Sequence, residues 1–299
     1  MAKLHQHKEP NKRNILISVI LNAGITLAEF IGGFLSNSLA LISDAVHNLS
    51  DTMAIIISYV AMKVGKKGST VKNTFGFKRV EILAALFNAV VLIAVSIYLF
   101  YEAYERFINP EPIKGTTMFI VATIGLAGNL ISVLLLHKDS EHNLNVKAAY
   151  LHLLGDTLSS VGVIIGSVLI YYWNVYWVDP LLTVIIGLVI IKGTWNILKE
   201  TIEILMQASP AGLDLEEMKR ALEKHPEVSN IHHIHTWRLS DNIVHFQGHV
   251  EVNKNLAIKE IDKIRVELES TLHKKFNIDH ITIQMESNSC HEKSTINNS

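Results

Sequence analysis

Six apolar stretches, at about residues 14–35, 39–64, 80–107, 115–137, 146–173 and 179–206, set the first limit on what this chain folds into. Each is long enough to cross a hydrocarbon core of about 30 Å, which takes about 20 helical residues. Backbone groups at that depth have no water to bond, so single apolar spans must be helices. After Gln207 the pattern turns charged and alternating, and no later apolar run is long enough to span. The expected fold class is therefore an α-helical membrane protein with six transmembrane helices followed by a small α+β domain. The expected divisions are an N-terminal segment (1–13), a transmembrane domain (14–207), a C-terminal domain (208–286) and a tail (287–299). The tail is polar and rich in Ser and Asn, a composition expected to be disordered.

Short loops predict the orientation, because Lys and Arg collect on the cytoplasmic side. The connection between the second and third spans carries Lys63, Lys66, Lys67, Lys72, Lys78 and Arg79, and that between the fourth and fifth carries Lys138 and Lys147. Ser36 to Ser38 and Asn174 to Val178 carry none, so both termini are expected in the cytoplasm. The first span follows Lys8, Lys12 and Arg13 as a signal peptide would, but its apolar run is too long and no small-residue cleavage site follows. A formal net charge of −1 gives no reason to expect nucleic acid as a partner. The single cysteine, Cys290, excludes an intramolecular disulfide and any thiolate cluster within one chain. Metal ligands here must be histidines and carboxylates.

Two of the apolar windows each place a histidine four residues before an aspartate: His47 with Asp51, and His152 with Asp156. Ionisable groups at membrane depth cost about 2.5–3.5 kcal/mol each on insertion scales, and are normally kept for function. Residues four apart share a helix face, so each helix supplies half a tetrahedron. Two neutral imidazoles and two carboxylates suit a borderline divalent ion such as Zn²⁺, whereas Mg²⁺, Ca²⁺ and Mn²⁺ favour oxygen sites. Two aspartates carry a charge of −2, and one divalent cation restores neutrality. The competing readings are ion-free pairs that hold the bundle together, and a proton relay without metal.

Other polar residues lie in the spans. Asp44 shares a stripe with His47 and Asp51, and its expected role is to support the site or to charge a vestibule. Asn22, Glu29, Glu81, Asn88 and Asn129 are expected to bond between helices. Asp179-Pro180 reads as an N-cap and first-turn proline of the sixth span. Gly32-Gly33, Gly125 with Gly128, and Gly162 with Gly166 mark close packing faces. In the C-terminal domain the order is αββαβ, with helices at about 214–224 and 257–275 and strands at about 229–238, 243–252 and 278–286. Alternation over Ile243–Val252 carries the second strand. His232, His233, His235, His245, His249 and His280 lie on or beside these strands.

These residues and their neighbours resemble the cation diffusion facilitator family of zinc transporters, bacterial zinc/cadmium/cobalt efflux type. The matching text is Glu29-Phe30-Ile31-Gly32-Gly33, Ser38 to Ala45 with His47 and Asp51, Phe75-Gly76 with Arg79 and Glu81, and His152, Asp156 and Ser160. The resemblance covers almost the whole chain. It implies a multi-pass plasma-membrane exporter that exchanges cytoplasmic Zn²⁺, and related ions such as Cd²⁺, Co²⁺ and Ni²⁺, for protons. It also implies a homodimer, a metallochaperone-like C-terminal domain, and a transport site at His47, Asp51, His152 and Asp156. The family's cytoplasmic metal positions fall on His232, His249, Gln284 and Glu286, with Zn²⁺ as a bound regulatory ion. Glutamine is a poor zinc ligand, so that site would be weak, or would need a water or a residue from a second subunit.

The chain departs from some relatives elsewhere. Gly65 to Val80 contains no His, Asp or Glu, so no metal is expected in that loop. Only His137 and His142 stand between the fourth and fifth spans, too few for a zinc-gathering loop. No resident cofactor is expected. An intramembrane metalloenzyme would need a general base beside an open coordination position, as in His-Glu-x-x-His, and no such motif occurs. A membrane-anchored metal sensor is the other alternative.

Overall fold

The computed structural model describes residues 12–140, 144–253, 256–287 and 294–295. Residues 1–11, His142, Cys290 and most of the C-terminal tail lie outside the described residues. The elements run α1 (Lys12–Ser36), α2 (Leu39–Gly65), α3 (Val80–Ile108), α4 (Gly115–Ser140), α5 (Leu144–Trp173), α6 (Val178–Leu205), α7 (Leu215–Leu222), β1 (Val228–Ser240), β2 (Ile243–Val252), α8 (Ile258–Phe276) and β3 (His280–Glu286). Within α1, α3, α4, α5 and α6, the stretches Leu16–Ser36, Val80–Ile108, Gly115–His137, Ala149–Trp173 and Val178–Leu205 are long and apolar enough to cross a membrane. α2 matches them in length at 27 residues, but bears Asp44, Asp51 and Lys63 along with His47. α2, which carries His47 and Asp51, is thus the long helix of the bundle outside that set.

Cα packing divides the chain into two compact units. The first comprises the residues up to Ile57 together with Phe87–Ile197. Here α4 packs along both α1 and α5. The α1–α4 seam closes through small residues: a Cβ on Gly125 would stand 2.7 Å from Glu29 Oε1, so a larger residue there would push that carboxylate aside. Ala40, Leu41, Leu92, Met118, Val163 and Ile170 form an apolar cluster that joins α2 to α3, α4 and α5.

One end of this unit is tied by polar contacts. Asn37 takes a left-handed conformation (φ 62°) between α1 and α2. Its carbonyl accepts from Arg106 Nη1 at 2.7 Å, and its side-chain amide donates to Glu111 at 2.9 Å. Asp179, expected to cap its own helix, instead caps α2. Its carboxylate accepts from the Ser38 hydroxyl, from Leu39 N at 2.8 Å and from Ala40 N at 3.3 Å. The reason is electrostatic: the first N–H groups of α2 have no partners in their own helix, and a buried carboxylate from α6 satisfies them where no water reaches.

The second unit comprises Ser58–Leu86 and the residues from Leu198 onward. Its αββαβ portion has the expected order. β1 pairs antiparallel with β2, and β2 pairs parallel with β3, giving the strand order β1-β2-β3. Met218 and Leu222 of α7 and Ile264, Leu268 and Leu272 of α8 pack against Ile231, Phe246 and Val250 of the sheet. Asp214 caps α7, accepting from Glu216 N and Glu217 N at 2.9 and 3.0 Å. Glu260 reaches back to Ala257 N at 2.9 Å to start α8, and Asn277 ends it in a left-handed turn. Of the tail, Ser294 and Thr295 are described, and their carbonyls accept from His233 N and Ile234 N on β1.

Asp179→Ala would strand two helix N-terminal amides and a buried hydroxyl. The expected loss is about 1–3 kcal/mol, seen as a lower melting midpoint of the purified protein in detergent. An unchanged midpoint would contradict the α2 clasp.

Candidate metal sites

The helical repeat puts His47 above Asp51 on α2 and His152 above Asp156 on α5, and the fold brings the two pairs face to face. His152 Nε2 lies 3.0 Å from Asp51 Oδ2 and 3.6 Å from Asp156 Oδ2, so it approaches the partner helix more closely than its own. His47 Nε2 is 3.8 Å from Asp51 Oδ2, and the two imidazole rings meet edge to face at 5.6 Å. One ligand atom each from His47, His152 and Asp156 lie within 4.8 Å of one another. Ligands about 2.0–2.2 Å from a tetrahedral Zn²⁺ stand roughly 3.3–3.6 Å apart. A small contraction of rotamers would therefore seat an ion. The Asp156 side chain is 5% exposed, whereas Asp51 and His152 keep 35% and 40%, so the cluster is closed on one side and open on the other.

Buried polar groups stand behind these four residues. Asp44, 2% exposed, accepts from Ser159 Oγ of α5 at 3.2 Å and so ties α2 to α5. Asn48, next to His47, donates to Glu29 of α1 at 3.2 Å. Asn88 accepts from Ser50 at 3.5 Å. These are the inter-helix bonds expected of isolated polar residues in spans. Asn129 is fully buried, with neither amide atom hydrogen-bonded among the described residues.

The second cluster lies on the C-terminal sheet. Pairing sets His232 opposite His249 on β1–β2, and His249 opposite Gln284 on β2–β3. Glu286 Oε2 is 3.3 Å from His232 Nε2, and Glu286 Oε1 is 2.8 Å from His249 Nδ1. Gln284 does not take a ligand position of its own but donates Nε2 to Glu286 Oε1 at 2.7 Å. A residue outside the positions that the resemblance implied joins the cluster: ligand atoms of His232, His233 and His249 lie within 4.8 Å of one another. The signal was the His232-His233 pair itself, which matters only if β1 bulges between them. His245 and His280 form a separate ring contact at 4.7 Å beside Trp237, and His235 stands opposite Gln247.

Residues 15–206 match the cation efflux transmembrane domain, and residues 210–288 match the cytoplasmic domain of cation efflux proteins. The chain belongs to the cation efflux family. Among its relatives, the cadmium, cobalt and zinc/H⁺-K⁺ antiporter of Bacillus subtilis (strain 168) is 39% identical over 285 residues, covering 94% of this chain and 91% of the relative. The zinc transporter ZitB of Escherichia coli (strain K12) is 38% identical over 299 residues, covering 97% and 94%. The metal cation efflux system protein CzcD of Cupriavidus metallidurans (strain ATCC 43123 / DSM 2839 / NBRC 102507 / CH34) is 41% identical over 288 residues, covering 96% and 90%. This cation efflux protein is accordingly a multi-pass membrane transporter and not an enzyme.

In its C-terminal domain, burial holds the His232 pKa below the ordinary imidazole value. Glu286 pulls the other way, while His233 and His249 add to the lowering. Burial, with His280, lowers His245 as well. Below an unfolded-state pKa of about 6.5 the unfolded chain therefore binds more protons than the folded one, so stability falls as pH drops from there. We expect the metal-free protein to lose C-terminal domain stability on acidification from about pH 6.5. Histidine NMR titration should place the His232 midpoint below the ordinary imidazole value, and a midpoint at or above that value would refute this.

Proposed function

We propose that this protein exports divalent transition-metal ions, chiefly Zn²⁺, from the cytoplasm in exchange for protons, through His47, Asp51, His152 and Asp156. One observation carries the reading: His152 Nε2 stands within 3.0 and 3.6 Å of carboxylates from both ligand helices. A proton on that nitrogen bonds the carboxylates. A metal ion takes the same lone pairs and can bind only when the proton has left. The two cations compete for one set of atoms, which is the physical requirement for exchange. With both carboxylates ionised, one divalent cation makes the loaded site neutral, which favours passage through a low-dielectric bundle.

The names of the relatives support the substrate class, since they include zinc, cadmium and cobalt and proton antiport. Cd²⁺, Co²⁺ and Ni²⁺ are then competitors for the same two-imidazole, two-carboxylate set. Lysines and arginines in the α2–α3 connection favour cytoplasmic termini in the plasma membrane. The protein works as a homodimer in this reading. His232, His249 and Glu286 hold a second, regulatory ion. Their fit to a metal rests on His232 Nδ1 and Nε2, His249 Nδ1 and Glu286 Oε2, buried atoms with no hydrogen bond among the described residues.

In inverted vesicles, His47→Ala and Asp156→Ala should each reduce zinc uptake to background while the protein remains inserted and folded. Retained transport in both would falsify the site assignment. In proteoliposomes with a pH gradient, zinc entry should drive protons out of the lumen. Zinc moving at the wild-type rate with no proton flux would end the antiport reading, and zinc bound but never translocated would favour a sensor.

A further inference from the structure

We propose that His233 is a metal ligand of the C-terminal site, completing with His232, His249 and Glu286 a set of three imidazoles and one carboxylate, and that Gln284 orients Glu286 without ligating. The inference rests on the regulatory-ion reading above and changes its ligand set.

In a regular strand, neighbouring side chains point to opposite faces, so His232 and His233 could not share an ion. β1 is not regular there. His232 pairs with His249 and His235 with Gln247, so β1 advances 235 − 232 = 3 residues while β2 advances 249 − 247 = 2. The extra residue is a β-bulge, a device that re-aims a side chain. His233 holds φ at 50°, the left-handed region, which histidine enters more readily than most residues. As a result its ring lies 5.0 Å from that of His232 and 5.0 Å from that of His249.

The polar atoms point to a missing cation. His233 Nε2, both nitrogens of His232, His249 Nδ1 and Glu286 Oε2 are buried, and none has a hydrogen bond among the described residues. Buried groups of this kind are nearly always partnered. His232 and His249 approach Glu286 at 3.3 and 2.8 Å without hydrogen-bond alignment, as ligands of one ion would. Three imidazole nitrogens and a carboxylate oxygen are a tetrahedral donor set for Zn²⁺. The 2.7 Å bond from Gln284 Nε2 to Glu286 Oε1 is the outer bond that fixes a ligating carboxylate. The ligands come from β1, β2 and β3, so a bound ion would clip all three strands of one chain without a partner's residue.

The test uses the full-length protein in detergent with Asp51→Ala and Asp156→Ala to silence the membrane site, and Co²⁺ as a visible probe displaced by Zn²⁺. One ion per chain should bind with the intense absorption of a tetrahedral site. His233→Asn keeps a residue that tolerates the left-handed backbone. It should weaken binding by more than about a hundredfold and collapse the tetrahedral band, whereas Gln284→Ala should keep the band and cost roughly tenfold. If His233→Asn fails to fold, His233→Gly supplies the same deletion on a permissive backbone. Should His249→Ala abolish binding while the His233 variant keeps both affinity and band, the His233 assignment is overturned and the regulatory site stands. Should His249→Ala bind as before, the site reading fails and this inference with it.

Discussion

A carboxylate in the interior of a membrane bundle needs a partner, and much of the structure is arranged around that requirement. Asp51 and Asp156 come from different helices, yet His152 stands between them at 3.0 and 3.6 Å. That approach is possible because α2 and α5 are held in register, by the Asp44–Ser159 bond beside the site and by apolar packing against α3 and α4. At the end of α2, the buried Asp179 carboxylate supplies the cap that water would supply to an exposed helix. Glu29 enters the α1–α4 seam because Gly125 leaves room for it. Several polar residues of the spans are thus tied to one another, among them Asp44 to Ser159 and Asn48 to Glu29.

The two candidate metal clusters use the same donor types on different scaffolds. In the membrane, an interval of four residues along a helix stacks each histidine over its aspartate, and helix packing unites the pairs. On the sheet, cross-strand register aligns His232 with His249, and a bulge turns His233 toward them. Holding a non-glycine residue in the left-handed region costs on the order of 1–3 kcal/mol, and such strain is commonly found where a site needs it. Both scaffolds hold nitrogen and oxygen lone pairs close together, an arrangement that a divalent cation stabilises and that its absence leaves unsatisfied.

Much of this was legible in the residues. Hydrophobic length located the six helices of the bundle to within a few residues, because the bilayer demands about 20 apolar residues per span and no soluble alternative hides so many. The order αββαβ was readable from alternation such as that along Ile243–Val252. His47, Asp51, His152 and Asp156 stood out because their cost in lipid is high and their spacing repeats. Less could be said of the C-terminal cluster, where histidines on a partly solvated sheet cost little and carry less information. There the positions implied by resemblance passed over His233.

The sequence by itself determined which segments cross the membrane, which residue types are free to bind metal, and which pairs share a helix face. These follow from local geometry and transfer energy, which do not depend on distant contacts. Only the tertiary structure decided that His152 approaches Asp51 more closely than Asp156, that Asp179 caps α2 and not its own helix, and that β1 bulges at His233. Each depends on which backbone groups were left without partners once the elements had packed, and that deficit exists only in the assembled fold.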